Sequence, residues 1–95
     1  MTLQMRGRHW TEALRRHSSR RLHFALSRFS PSISLVTVHM FNIPDAPGGL
    51  DKTCRIVIRL APTGRILVED TQEDLYAAID RATERAGRAV GRALD

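Results

Sequence analysis

Leu75, Ile79, Ala82, Ala86, Val90 and Ala93 recur at helical spacing near the end of the chain and form one apolar stripe, which the rest of the fold has to cover. A final helix is expected to begin near Glu73 or Asp74, capped by Thr71. Away from the stripe, Arg81, Arg85, Arg88 and Arg92 recur at 4-3-4 spacing and stay within roughly 60° of one another on a helical wheel. At ~1.5 Å per residue this line is roughly 16 Å long, enough to follow several phosphates of an RNA backbone. Glu84 is placed to pair with Arg88 four residues on, whereas Arg81, Arg85 and Arg92 have no acid at that spacing. Asp80 and Glu84 lie on a different side. This segregation of sign favours an anion-binding ridge over the competing reading of a solvated face.

The upstream segments supply the cover. Leu3 and Met5 alternate as in a strand, and Thr11 can cap a helix whose apolar stripe runs through Leu14, Leu22, Ala25 and Phe29. His17, Arg21 and Arg28 flank that stripe, and Arg16, Arg20 and His23 lie on its far side. Ser30, Pro31 and Ser32 stop the helix. Ile33 to Phe41 is β-branched and apolar on both faces, as in an interior strand, and Asn42 to Asp51, with two Pro and two Gly, reads as a mobile loop. Cys54, Ile56, Ile58 and Leu60 then alternate with Thr53, Arg55, Val57 and Arg59, which suits a sheet with one open face carrying two guanidiniums. Pro62, Thr63 and Gly64 turn the chain into a fourth strand from Arg65 to Glu69. The order is β-α-β-β-β-α, an α+β single domain over residues 1–95. Leu14, Leu22, Phe29, Val36, Val38, Ile56, Ile58, Ile66, Leu75, Ile79 and Val90 are expected to be buried together.

Charge points to the partner. Fourteen Arg and one Lys face ten acids, a net charge of +5, and residues 1–30 alone carry +6. Such a surplus favours an anionic partner, and Arg suits phosphate because its planar fork donates two parallel hydrogen bonds. An Arg-rich, acid-poor start also fits an organellar presequence, but the strand-like Leu3 and Met5 favour a folded segment. The lone Cys54 excludes an internal disulfide and fits a reducing cytoplasm. No apolar stretch approaches the ~18 residues that span a bilayer, so no membrane partner is expected. The four histidines and Cys54 lack metal-ligand spacing, and Asp70, Glu73 and Asp74 read as helix-start carboxylates. No catalytic residue, metal, cofactor or small-molecule substrate is expected. Five aromatics, with Trp10, Phe29 and Tyr76 read as core or core-edge residues, argue against a base-stacking sheet.

The closing run EDLYAAIDRATERAGRAVGRAL, above all Asp74-Leu75-Tyr76-Ala77-Ala78-Ile79-Asp80 opening a basic helix, resembles the ribosome hibernation-promoting factors, also called ribosome-associated inhibitor A or S30AE proteins. Thr11-Glu12-Ala13-Leu14 entering a basic helix agrees more loosely, and the resemblance runs from about Leu3 to Leu94. Arg85, Arg88 and Arg92 fall where relatives carry Lys or Arg, and Arg81 is an addition. The resemblance implies a four-stranded sheet with two helices packed on one face, a cytoplasmic protein that binds the small ribosomal subunit near the mRNA channel and decoding sites as a monomer, and reversible silencing of translation under stress. The pattern is that of a short form, with neither the long members' added C-terminal domain nor a basic tail expected after Asp95. The expected RNA-binding residues are Arg81, Arg85, Arg88, Arg92, Arg16, Arg20, Arg21, Arg28, Arg55 and Arg59. A regulator docking an acidic protein and a general structured-RNA-binding module are the alternatives, although Gln72-Glu73-Asp74 lacks the Lys-rich helix entry of double-stranded-RNA-binding modules.

Overall fold

The computed structural model describes residues 1–95, the side chain of Pro47 excepted. The elements are β1 (Thr2–Gly7), α1 (Glu12–Leu26), β2 (Ile33–Asn42), β3 (Lys52–Leu60), β4 (Arg65–Gln72) and α2 (Leu75–Leu94), in the expected order. The strands lie side by side as β1-β2-β3-β4. β1 runs parallel to β2, and the other two pairs are antiparallel. Parallel neighbours cannot be joined by a tight turn, so the chain between them leaves the sheet and returns as α1. Thr11 caps α1 as expected, its hydroxyl accepting the Leu14 N–H at 3.1 Å.

One face of the sheet holds the core. Val36, Val38 and Met40 of β2, Cys54, Ile56, Ile58 and Leu60 of β3 and Val68 of β4 are buried against Leu14, Leu22 and Leu26 of α1 and Ala78, Ile79, Ala82, Ala86 and Val90 of α2. The two helices close on each other over small residues. A Cβ on Gly87 would stand 3.3 Å from the Ala25 carbonyl oxygen, and one on Gly91 would stand 3.5 Å from Phe29 Cζ. Among the described residues no layer covers the other sheet face. Its rows include Gln4, Thr37, Val57 and Leu67, and beside them Thr2, Leu35, Arg59 and Arg65.

Several expectations are corrected. Thr71 does not cap the last helix: β4 continues to Gln72, the Thr71 hydroxyl meets that of Thr53 across the strands at 2.9 Å, and Asp74 caps α2 through the Ala77 N–H at 3.0 Å. α1 ends at Leu26, and Ser27–Ser32 tighten into a 3₁₀ segment containing Pro31. That change of twist rotates Phe29 off the apolar stripe, leaving it only partly buried. Ile66 and Leu75 also pack at the core's margin, and Ala93 is exposed because α2 extends beyond the apolar surface beneath it. β2 is interior, yet Leu35, Thr37, His39 and Phe41 on its open side are only half-buried. Asn42 belongs to β2, and the segment after it is closed by the Ile43 N–H donating to the Asp51 carbonyl at 2.9 Å.

Ser18 sits fully buried on α1 with no hydrogen-bond partner for its Oγ. A buried hydroxyl left unpaired costs about 1–3 kcal/mol, and Ala is the better helix former. Ser18→Ala is therefore expected to raise the unfolding free energy by about 1 kcal/mol or more, read as an upward shift of the urea midpoint. A lower midpoint would show that the hydroxyl is satisfied.

Candidate nucleic-acid interface

α1 and α2 lie side by side on the core face, so their outer surfaces form one continuous exterior. On α2 the four expected arginines are all exposed. Arg85 leans towards β4, where Nη1 donates to the Glu69 carbonyl and stands 3.8 Å from the Asp70 carboxylate. Arg81, Arg88 and Arg92 have no carboxylate partner among the described residues. Glu84 does not pair with Arg88 as its spacing suggests. It turns across to α1 and meets Arg21 Nη2 at 3.4 Å.

That inter-helix seam explains where the acids of α2 go. Asp80 accepts from His17 Nε2 at 2.6 Å and lies 3.3 Å from Arg21 Nε, while the His17 ring meets Tyr76 edge-on at 4.9 Å. Arg21, whose side chain is 34% exposed, is thus held between two carboxylates and clamps the helices together. The remaining candidates on α1 and on the 3₁₀ segment after it point outward. Arg16 is 67% exposed and only loosely met by Glu12 at 3.8 Å, Arg20 has no acidic partner among the described residues, and Arg28 lies over the Phe29 ring at 4.7 Å.

Two grooves run beside the Arg88 ridge. One, of about 510 Å³ between the helices, is lined by Arg21, Phe24, Ala25, Arg28, Gly87 and Arg88 among others. The second, of about 300 Å³, lies between α2 and β4, where Arg85, Arg88 and Arg92 stand over Leu67, Val68 and Ala89. The fold therefore brings Arg16, Arg20, Arg28, Arg81, Arg85, Arg88 and Arg92 to one exterior and Arg55 and Arg59 to the opposite, open sheet face. Arg55 is spoken for there, bonded to Glu69 at 2.9 Å and stacked over Phe41 at 4.9 Å. Arg59 is exposed and directly opposite Arg65, also exposed and absent from the expected set. Its position straight across the Pro62 to Gly64 turn was the available signal. Phe24 was also missed, although a helical wheel places it off the apolar stripe.

No group of three His, Cys, Asp or Glu residues that could hold a metal occurs among the described residues. Burial, helped by the negative charge of Asp70 on the neighbouring strand, pushes the Cys54 thiol from 9.0 up to about 12. The folded state holds that proton more tightly than the unfolded chain does. The stability it contributes is complete below about pH 9 and is lost as pH rises through 9 towards 12. Urea midpoints are expected to fall over this range and to fall less in Cys54→Ala, and iodoacetamide should leave the folded protein unlabelled at pH 8. Rapid labelling would contradict this placement of Cys54.

Comparison with known proteins agrees with this geometry. The family model described as "Sigma 54 modulation protein / S30EA ribosomal protein" matches residues 2–95. A ribosomal subunit interface protein from Coxiella burnetii superposes with a TM-score of 0.77 at 21% identity, covering 97% of this chain and 96% of its own. The Protein Y N-terminal domain of Thermus thermophilus gives a TM-score of 0.72 at 29% identity, with 96% and 93% covered. No curated protein matches the chain in sequence. A β-α-β-β-β-α sheet with two helices on one face and a family match over nearly its whole length lead to one assignment: the chain belongs to the sigma 54 modulation protein / S30EA ribosomal protein family.

Proposed function

We propose that this protein binds the small ribosomal subunit by laying its helical exterior along rRNA phosphates, and silences translation by occupying space that mRNA or tRNA would use. The observation that carries the reading is the α2 ridge, where Arg81, Arg88 and Arg92 are exposed with no carboxylate partner among the described residues while the nearby acids are turned inward to α1. Guanidiniums left unneutralised on one exterior, with Arg16 and Arg20 on the neighbouring helix and Arg28 just after it, suit a polyanion whose charges follow a path. The protein acts in this reading as a cytoplasmic monomer and a non-enzymatic blocker.

The test is co-sedimentation with purified small subunits. Binding through several phosphates releases condensed counterions, so affinity is expected to fall on the order of 10³-fold between 50 and 200 mM salt. A flat salt response, or no co-sedimentation at low salt, would sink the reading. Retention by a cellular partner that survives nuclease treatment would favour an acidic protein instead.

A further inference from the structure

Phe24 is 89% exposed, the most exposed large apolar side chain recorded in the structure, and it stands on the exterior of α1 near several arginines. Residues four apart on a helix are surface neighbours, so Phe24 sits beside Arg20 on α1, with Arg28 nearby on the 3₁₀ segment that follows. It borders the groove between α1 and α2, whose floor is kept low by Ala25, Thr83 and Gly87 and whose far wall carries Arg88. The one acid in that groove, Glu84, is engaged by Arg21. Arg28 and Arg88 therefore offer their charge to whatever enters. Among the described residues no aromatic or cation-π contact engages the Phe24 ring, while Arg28 is already steadied against the ring of Phe29 at 4.7 Å.

We infer that Phe24 stacks on an unpaired nucleobase of the bound RNA, with Arg28 and Arg88 reaching the phosphates on either side of it. This rests on the reading that the helical exterior binds RNA, and adds a contact that phosphate pairing alone does not supply. Charge decides between occupants: an apolar protein side chain on Phe24 would bring its neighbours against two unneutralised guanidiniums, whereas a nucleotide carries its own anions beside a flat ring. Base stacking on aromatics tolerates any base, so the contact would favour unpaired over duplex segments without choosing a sequence. A single such residue suits one flipped or loop base, not a stacked run.

The experiment compares an oligoadenylate with an abasic ribose-phosphate strand of equal length. The wild-type protein is expected to prefer oligoadenylate roughly 5- to 100-fold. Phe24→Leu, on an exposed position that leaves folding intact, should abolish the preference while keeping the salt slope, and Phe24→Trp should preserve it. Equal affinity for the two strands, or none, would overturn the inference, as would an unchanged preference in Phe24→Leu. Equal affinity is also the outcome expected if Phe24 anchors a protein. Small-subunit co-sedimentation of the wild type keeps the two readings apart: its loss with the oligoadenylate preference intact removes the ribosome and leaves the stacking, and the reverse result removes only the stacking.

Discussion

Ile79→Asp is expected to abolish the cooperative thermal transition at ordinary temperatures. Ile79 is 0% exposed in the layer between α2 and the sheet, packed in the cluster that includes Val38, Ile56 and Ala82. Replacing it removes an isoleucine's burial, about 2–5 kcal/mol in large-to-small core changes, and adds a carboxylate in surroundings that are apolar. A domain of this size has only about 5–15 kcal/mol of total stability, so the two penalties together exceed or exhaust it. Ala93→Gln is the matched control. Ala93 shares the apolar periodicity of α2 but lies exposed near its end, and the change should stay within about 0.5 kcal/mol. Circular dichroism melts of both variants decide the matter: an Ile79→Asp melt at the parental temperature would mean that α2 presents a different face to the sheet.

Periodicity carried the elements because it records burial on a regular backbone. The α2 stripe and the alternation from Cys54 to Leu60 are visible in the sequence for that reason, and both face the core as expected apart from Ala93. Where the backbone changes twist, the wheel misleads: Pro31 falls inside a 3₁₀ segment, so a helix read through to Phe29 overruns Leu26. The start of α2 lies next to Asp74 as expected, but its cap is misread because the polar end of β4 looks like a capping run. Thr71 is satisfied by Thr53, a partner that only the strand register identifies.

Pairing across elements hides more of the site than of the fold. Arg21 looks like a flank cation in sequence, and its partners Asp80 and Glu84 lie on the other helix. The same holds for Arg55, whose Glu69 partner sits directly opposite on β4. A spacing of four residues can find ion pairs within one helix, so it assigned Glu84 to Arg88 and could not see the stronger claim of Arg21. The correction sharpens the site. Arg21, Arg55 and Arg85 leave the set of unneutralised cations, and Arg88 enters it.

Replacing Arg85, Arg88 and Arg92 together with Ala is expected to weaken small-subunit binding on the order of 10³-fold, since each charge-assisted hydrogen bond contributes about 1.5 kcal/mol or more. The salt slope should drop by roughly one unit for each phosphate contact removed. Stability separates the three positions. Arg88 and Arg92 are exposed without ion pairs among the described residues, and Ala suits a helix at least as well, so their loss should leave the melting temperature nearly unchanged. Arg85 is different, because it bonds the Glu69 carbonyl and lies 3.8 Å from Asp70, a carboxylate only 15% exposed. Its removal should cost about 1 kcal/mol, so the Arg88→Ala, Arg92→Ala double variant is the cleaner test of binding. On the opposite face the matched control is Arg59→Ala with Arg65→Ala, which removes two like charges placed directly across the strands and should be neutral or slightly stabilising. If that control loses as much binding as the triple variant, both faces touch RNA. Wild-type occupancy of the folded triple variant at physiological salt would instead reduce the α2 line to a solvated face and leave Arg16 and Arg20 on α1 and Arg28 just after it as the cations that hold the subunit.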